Sequence, residues 1–385
     1  MRRVLYTLLM TICCILGVQS APLRVGAERM QEYLPQLEGR RVALLANHTS
    51  LVDEEHLLDT LCSRGVNVTA IFSPEHGFRG TAGAGEKVAS GVDRKTGIPI
   101  RSLYDGNKKR PSDEVMQSFD VLLIDLQDVG LRFYTYYITM LRMMEACAEF
   151  GLQVIVLDRP NPNGMYVDGP ILDMRYKSGV GALPIPVVHG MTMGEIARMA
   201  VGEGWASRVA LTVVPVEGYR RSMRYVLPVN PSPNLRTQHA IYLYPAVCLF
   251  EGTIASLGRG TDYPFEVYGH PQMQGCDFSF TPIWKPWAKN PPLLDQECYG
   301  VDLRKVDNET IISEGFTLKY VIDAYQRTGR RGEEFFTPFF EKLVGVDYIR
   351  TMIIEGRSDE VIRACWANDV ARFREQRKPY LLYEE

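Results

Sequence analysis

The sequence predicts an α/β protein whose first half forms a mostly parallel sheet covered by helices. Two observations lead to this prediction. Apolar runs rich in β-branched residues alternate with segments of helical periodicity between positions 41 and 216. Most of these runs are followed by polar side chains that do not suit a tight turn. The predicted strands span 42–46, 66–72, 100–103, 121–124, 154–157 and 211–214.

Helices are predicted between these strands, at about 53–64, 135–150 and 193–202. The second places Leu141, Met144 and Cys147 on one apolar face, which indicates packing against a sheet. Asp53 and Thr192 precede the first and third helices and are predicted to cap them.

The chain begins with a segment typical of a secretory signal peptide. Arg2 and Arg3 precede an apolar run over 4–18, and small residues follow at Ser20 and Ala21. We expect cleavage near Ser20 and export to the periplasm or beyond. A membrane anchor is the alternative, although the run is short for a span. No later run approaches the ~20 apolar residues of a membrane span, and nothing in the sequence is typical of a nucleic-acid binder.

Cysteine, histidine and glycine patterns do not indicate a metal or a cofactor. The six cysteines after the signal segment are widely separated without a CxxC pair, and the six histidines form no HExxH or other compact set. The glycine-rich stretch at 80–87 does not match a nucleotide-binding loop, and GxSxG is absent. We therefore expect no bound cofactor, no protein-bound metal and no essential disulfide.

A second, smaller domain is predicted after a change of composition between 217 and 235, where arginines and prolines are concentrated. The predicted division is a signal at 1–20, a first domain at 21–225 and a second at 226–385. The second domain contains a glycine-rich polar segment flanked by Arg259 and Glu266, and predicted helices at about 316–328 and 359–374. The glycine-rich segment is either a simple turn or the place from which Arg259 reaches across a domain cleft.

Polar side chains follow four of the predicted strands. Parallel strands bring all these ends to one edge of the sheet, which in open α/β sheets is the edge that binds ligands. The alternative is that these residues only cap the helices that follow. The residues concerned are Asn47, His48 and Thr49; Glu75, His76 and Arg79; Asp125, Gln127, Asp128, Arg132, Tyr134, Tyr136 and Tyr137; and Asp158, Arg159, Asn161 and Asn163.

The mixture of carboxylates, amides, arginines and aromatic rings at this edge favours a polyhydroxylated ligand over a polyphosphate. Aromatic rings pack on the apolar face of a pyranose. Carboxylates, amides and guanidinium groups form hydrogen bonds with its hydroxyls or with an attached carboxylate. The predicted ligand is therefore a sugar.

Four motifs carry a resemblance to a known family: SPEHGFRG at 73–80, DLQDVGLRFYTY at 125–136, DRPNPNG at 158–164 and GRGTDYPFE at 258–266. They resemble the YbbC-like family, which includes the exo-β-N-acetylmuramidases called NamZ, grouped as glycoside hydrolase family 171. The resemblance implies a Rossmann-like first domain, a smaller α/β second domain and an active site in the cleft between them. It also implies release of N-acetylmuramic acid from the non-reducing ends of peptidoglycan fragments, so the expected partners are muramyl saccharides.

The resemblance makes Glu75 the candidate catalytic acid, with His76 beside it. Asp125 or Asp128 is the candidate base or electrostatic partner, and retaining, inverting and substrate-assisted mechanisms stay open. The candidates for holding the lactyl carboxylate of muramic acid are the guanidinium groups of Arg132, Arg159 and Arg259. The other candidate substrate-binding residues are Asn47, Arg79, Gln127, Tyr134, Tyr136, Asp158, Asn161, His189 and Glu266.

Two other functions fit the same residues. An exported binding protein that captures a muramyl sugar needs the aromatic rings and arginines but no protonated carboxyl group. A hydrolase of another bond, such as an amidase or an esterase, leaves the glycosidic bond intact. The sequence does not predict the oligomeric state.

Overall fold

The computed structural model describes residues 22–75, 77–78, 90–103, 110–329 and 331–385. The predicted signal peptide lies outside these described residues, as do His76 and Arg79. No helix within the described ranges is both long and apolar enough to cross a membrane.

The first half of the chain forms a seven-stranded sheet in the order β5-β6-β4-β1-β7-β8-β9, together with a short β2–β3 hairpin. The strands are β1 Val42–Ala46, β2 Leu51–Val52, β3 Glu55–His56, β4 Val68–Ser73, β5 Gly91–Val92, β6 Pro99–Ser102, β7 Val121–Asp125, β8 Gln153–Leu157 and β9 Ala210–Val214. The pairs from β6 to β9 are all parallel, and β5 is an antiparallel edge strand. The α/β prediction is confirmed, with each of the six predicted strands within two residues of its observed bounds.

Helices cover this sheet and bury both of its faces. They are α1 Met30–Leu37, α2 Leu57–Ser63, α3 Asp113–Met116, α4 Tyr136–Glu149 and α5 Met193–Gly202. The central strands β1 and β7 are buried at every residue, which explains why they read as continuous apolar runs. One core cluster contains Leu45, Ile124 and Met144, and a second contains Leu44, Leu123 and Leu61.

The helix predicted at 53–64 begins later than expected. Asp53 lies in the turn of the β2–β3 hairpin with a φ of 53°, so it does not cap a helix. The cap belongs to His56, whose imidazole accepts a hydrogen bond from the backbone N–H of Leu58. Thr192 caps α5 as predicted, and it forms a capping box with Glu195.

The second half contains a three-stranded antiparallel sheet and several short helices. The strands are β10 Val267–His270, β11 Phe278–Phe280 and β12 Cys298–Asp302, in the order β10-β12-β11. The helices are α6 Gln238–Val247, α7 Asn308–Glu314, α8 Lys319–Arg327, α9 Phe340–Val344, α10 Tyr348–Ile354, α11 Asp359–Ala364 and α12 Ala367–Arg377. The boundary predicted at 225 stays a prediction.

The two helices predicted in this half differ from those observed. Residues 316–318 precede α8, because the carboxylates of Asp168 and Asp359 accept the backbone N–H groups of Phe316 and Leu318. The segment predicted as one helix at 359–374 is divided into α11 and α12 around Trp366. The Trp366 indole is buried and donates a hydrogen bond of 2.9 Å to Asp168. The break between α11 and α12 therefore lies at a residue that is held by a contact distant in sequence.

Candidate active site

Glu75 lies where strand β4 ends at the carboxyl edge of the sheet. Pro74 stops the strand, and Gly77 adopts a φ of 77°, a left-handed conformation that favours glycine. The side chain of Glu75 is half-buried, and its Oε2 accepts a hydrogen bond of 2.6 Å from the hydroxyl of Thr135. Thr135 stands immediately before α4, so the start of that helix positions the candidate acid.

Glu75 opens onto a cavity of about 90 Å³ that both halves of the chain enclose. We call this the inner cavity. Its lining from the first half is Glu75, Phe133, Tyr134, Thr135 and Val180, and from the second half Ser232, Asn234, Leu235, Tyr244, Glu251, Arg259 and Phe265. The strand-end glutamate therefore faces residues that follow it by more than 150 positions in the chain.

A larger cavity of about 570 Å³ adjoins the inner one, and Glu251 and Arg259 line both. We call this the outer cavity. Its aromatic walls are Phe250, Trp287 and Phe339, and its polar lining includes Thr253, Lys289 and Asn290. The two cavities are also tied together by Asn234, whose side-chain amide donates a 2.9 Å hydrogen bond to the carbonyl of Trp287.

Glu251 and Arg259 form an ion pair in the wall that the cavities share. Arg259 donates from Nε to Oε1 of Glu251 at 2.8 Å, and its Nη2 donates to the same oxygen. The guanidinium carbon lies 5.0 Å from the centre of the Phe265 ring. Sequence reasoning missed Glu251, which is a lone acid in the short 3₁₀ helix Cys248–Gly252. Its position just before a glycine-rich polar segment is the one signal that could have drawn attention to it.

Asp125 and Arg159 do not lie in either cavity, because each satisfies the other in the interior. Arg159 donates to both carboxylate oxygens of Asp125, at 2.5 and 2.9 Å, and also to the carbonyl of Leu51. The side chain of Asp125 is 0% exposed and that of Arg159 is 4% exposed. The structure thus pairs Asp125 with Arg159 away from the described cavity linings, and the roles predicted for them, base and carboxylate clamp, stay predictions.

Asp128 is buried in the loop that follows β7 and is absent from the described lining of both cavities. Its Oδ1 accepts a hydrogen bond of 2.7 Å from the backbone N–H of Gly130. Burial raises the pKa of Asp128 to about 7, against the opposite effect of neighbouring backbone N–H groups. This environment favours the protonated form of the carboxyl group below pH about 7. The predicted role of Asp128 as base or electrostatic partner stays a prediction.

Arg132 makes structural contacts in the described residues and lines neither cavity, so its predicted role as a substrate clamp stays a prediction. Its guanidinium is fully buried and donates to four backbone carbonyls, those of Pro170, Ile185, Leu343 and Val344. Two of these acceptors belong to the first half of the chain and two to the second. Arg132 therefore links the halves, and its Nη1 and Nη2 groups are committed to that link.

Several other predicted substrate-binding residues form hydrogen bonds within the protein and line neither cavity in the described structure. Asp158 accepts hydrogen bonds from Thr192 and Tyr383, and burial raises its pKa to about 6. Burial, with Arg377 as the next cause, lowers the pKa of His189 to about 3, so this imidazole is neutral. The remaining residues with such partners are Asn47, whose Oδ1 accepts from Thr49; Gln127, which donates to Pro160; Asn161, which donates to Met191; and Glu266, which accepts from Thr237.

The tyrosines that follow β7 differ in their position. Tyr134 lines the inner cavity, whereas Tyr136 is absent from its lining. Both hydroxyls donate to the carbonyl of Pro231, at 2.9 and 3.1 Å. Of the predicted site residues that the structure describes, Glu75, Tyr134 and Arg259 thus line the inner cavity.

Comparisons with known proteins agree with this architecture. Residues 42–239 match the family model for the N-terminal part of the exo-β-N-acetylmuramidase NamZ, and residues 242–383 match the model for its C-terminal part. The chain is 39% identical to the peptidoglycan β-N-acetylmuramidase NamZ of Bacillus subtilis strain 168, over 92% of this chain and 89% of the relative.

Two crystal structures of DUF1343 family proteins from Bacteroides fragilis are similar to the whole described fold. One is 54% identical with a TM-score of 0.89 and covers 95% of this chain and 100% of its own. The other is 29% identical with a TM-score of 0.82 and covers 94% of this chain and 99% of its own.

Proposed function

The chain belongs to the NamZ family of exo-β-N-acetylmuramidases, and we propose that it is itself such a glycoside hydrolase. The proposed reaction is hydrolysis of the glycosidic bond of N-acetylmuramic acid at the non-reducing end of peptidoglycan fragments. Family models that match both halves of the chain support this activity, as does the relative that shares 39% identity over nearly its full length.

The observation that carries the proposal is the position of Glu75 in the inner cavity. Glycoside hydrolysis requires a carboxylic acid that protonates the leaving oxygen. Glu75 lies at the ligand-binding edge of a parallel sheet, within a cavity enclosed by both halves of the chain. The hydroxyl of Thr135 holds one carboxyl oxygen and thereby orients the side chain. We assign Glu75 the role of general acid.

The outer cavity supports a saccharide as the substrate. Its volume of about 570 Å³ lies within the usual range of ligand-binding pockets. The rings of Trp287 and Phe339 provide apolar surface for pyranose rings. Arg259 lines this cavity as well as the inner one, so its guanidinium is placed to bind a carboxylate on the sugar.

We also propose that the mature protein acts outside the cytoplasm, as part of cell-wall turnover. The support is the amino-terminal pattern of Arg2 and Arg3, an apolar run and small residues near Ser20. N-terminal sequencing of the protein recovered from a periplasmic or secreted fraction tests this. A mature chain that begins near Ala21 is the expected result, and an intact Met1 in that fraction would contradict it.

Replacement of Glu75 by Gln tests the proposed activity. The Glu75→Gln variant keeps the shape of the side chain but cannot donate the proton, so we expect kcat for the hydrolysis of an unactivated N-acetylmuramyl disaccharide to fall about 10²- to 10⁴-fold. Release of N-acetylmuramic acid is measured by chromatography. Glu54→Gln is the matched control, because Glu54 is exposed on the β2–β3 hairpin.

Three results would contradict parts of this assignment. Wild-type rates in Glu75→Gln would remove Glu75 from the mechanism. Saturable binding of the disaccharide by the wild-type protein, without any product, would identify a binding protein. Release of a peptide or an acyl group with an intact glycosidic bond would identify an amidase or an esterase.

A further inference from the structure

We propose that Glu251 is the second catalytic carboxylate of this enzyme. In this proposal Glu251 acts on the anomeric carbon from the face opposite the leaving group, while Glu75 protonates the leaving oxygen. The inference rests on the proposed function, since it names the partner of Glu75 in glycoside hydrolysis.

The position of Glu251 distinguishes it from the other candidate carboxylates. A pair of carboxyl groups that flank one glycosidic bond must open onto the same space. Within the described lining of the inner cavity, the carboxyl groups are those of Glu75 and Glu251. Asp125 is neutralised by Arg159 in the interior, and Asp128 lies outside the described cavity lining.

One oxygen of Glu251 holds the side chain in place while the other is available to a substrate. Oε1 accepts hydrogen bonds from Nε and Nη2 of Arg259. No hydrogen bond from the described residues reaches Oε2, and this oxygen is not among the fully buried atoms. The side chain is 28% exposed, and Glu251 lines both cavities.

The backbone that carries Glu251 is held firmly by packing. Glu251 belongs to the 3₁₀ helix Cys248–Gly252, which packs on α9. A Cβ atom added to Gly252 would lie 2.5 Å from Cα of Phe340, so the two segments approach too closely for any side chain there. Phe250, the residue before Glu251, is buried, and its ring stacks on that of Tyr268 with ring centres 4.8 Å apart. Such packing fixes the position of the carboxylate before substrate binds.

Glu251 has a cationic neighbour, because it forms an ion pair with the guanidinium of Arg259. The positive charge of Arg259 offsets the charge that Glu251 brings into the wall of the cavity.

The step balances with the groups named. The bond between the anomeric carbon and the aglycone oxygen breaks, its electron pair stays on that oxygen, and Glu75 supplies the proton. On the opposite face, Oε2 of Glu251 either removes a proton from the attacking water or bonds to the anomeric carbon and is displaced by water in a second step. In the second case the ionised Glu75 takes the proton from that water.

The test measures kcat of two variants on substrates with a poor and a good leaving group, and then adds azide as an external nucleophile. In Glu251→Gln, kcat should fall at least about a hundredfold. The factor should be similar for a disaccharide and for an activated aryl β-N-acetylmuramide. In Glu75→Gln, the loss should be much smaller on the aryl substrate, because a good leaving group needs little protonation. Azide should restore turnover of the aryl substrate by Glu251→Gln and give the α-glycosyl azide, because the anion attacks from the side that Glu251 serves.

A structural role for Glu251 predicts a different outcome. Glu341→Gln is the matched control, since Glu341 pairs with Arg350 and lies outside both cavities in the described structure. The proposal fails if Glu251→Gln retains more than about a tenth of wild-type activity, if its loss disappears with the activated substrate, or if azide gives no α-glycosyl azide. Wild-type protein that hydrolyses neither substrate would instead overturn the proposed function, and this proposal with it.

Discussion

At the scale of single residues, the arginines differ in how their N–H groups are already used. Arg132 is committed to four backbone carbonyls, and Arg159 to Asp125 and the carbonyl of Leu51. Arg259 uses Nε and Nη2 for Glu251, and no hydrogen bond from its Nη1 occurs within the described residues. Of the three arginines predicted to recognise a lactyl carboxylate, Arg259 is therefore the one with a donor available at a cavity.

Replacement of Arg259 by Gln should reduce the preference for muramic over glucosamine substrates. Loss of a hydrogen bond between charged groups is worth about 1.5–3 kcal/mol, so we expect the ratio of the two kcat/KM values to fall about ten- to a hundredfold. The ratio isolates the lactyl group, because any effect through Glu251 acts on both substrates. Arg304→Gln is the control, since Arg304 pairs with Asp302 outside both cavities. An unchanged ratio in Arg259→Gln would contradict the carboxylate clamp.

Asp128 should make the stability of the protein depend on pH. Its pKa is raised to about 7 in the folded chain by burial, whereas an unfolded aspartate titrates near pH ~4. Between these values the folded state binds a proton that the unfolded state releases. The contribution to stability is thus fully present below pH ~4 and is lost as the pH rises through about 7, at about 1.4 kcal/mol per pKa unit.

The Asp128→Asn variant tests this dependence by urea unfolding at several pH values. We expect its free energy of unfolding to fall less between pH ~4 and ~8 than that of the wild type, because Asn does not titrate. A smaller slope of the same sign should remain, since the pKa of Asp158 is also raised, to about 6. Asp53→Asn, at an exposed turn, is the control. Parallel curves for wild type and Asp128→Asn would contradict the prediction.

At the scale of elements, local patterns predicted the parallel sheet well because its strands are buried on both faces. Strand β1 has the bounds that its apolar run predicts. Both errors in the second half occur where a contact distant in sequence sets the end of an element. Trp366 lies at the break between α11 and α12 and bonds Asp168, and Asp168 and Asp359 accept the N–H groups just before α8. Periodicity carries no information about such partners.

At the strand ends, too, the sequence pattern does not reveal the partners of a side chain. The polar residues after four strands are predicted to share one edge, and parallel pairing brings the strand ends of the described ones there. Which of them line a cavity depends on what else reaches that edge. Arg159 neutralises Asp125, whereas Glu75 meets the hydroxyl of Thr135 and the inner cavity. A list of polar side chains at a sheet edge does not distinguish internal pairs from groups that are open to substrate.

At the scale of the whole molecule, the two halves are joined through the interior. The carboxyl-terminal segment returns to the first sheet, where Tyr383 donates to Asp158 and the backbone N–H of Leu382 to Glu195. Arg132 makes a second link, from the loop after β7 to the carbonyls at the end of α9. The inner cavity lies between residues of both halves, so its geometry depends on these links.

Replacement of Arg132 by Met should destabilise the whole chain. It leaves four backbone carbonyls without their donor, and a buried acceptor left unsatisfied typically costs about 1–3 kcal/mol. Urea unfolding followed by circular dichroism measures this, with Arg142→Met on the exposed face of α4 as the control. A loss below about 1 kcal/mol would show that the link contributes little.

The sequence by itself determined the α/β fold and the family, and it predicted the sheet edge and Glu75 as parts of the site. These follow from local periodicity and from motifs that are continuous in the chain. The tertiary structure decided the rest: the neutralisation of Asp125, the structural use of Arg132, and the meeting of Glu75 with Glu251 and Arg259. These depend on contacts between distant segments, whose partners are selected only when the two halves pack together.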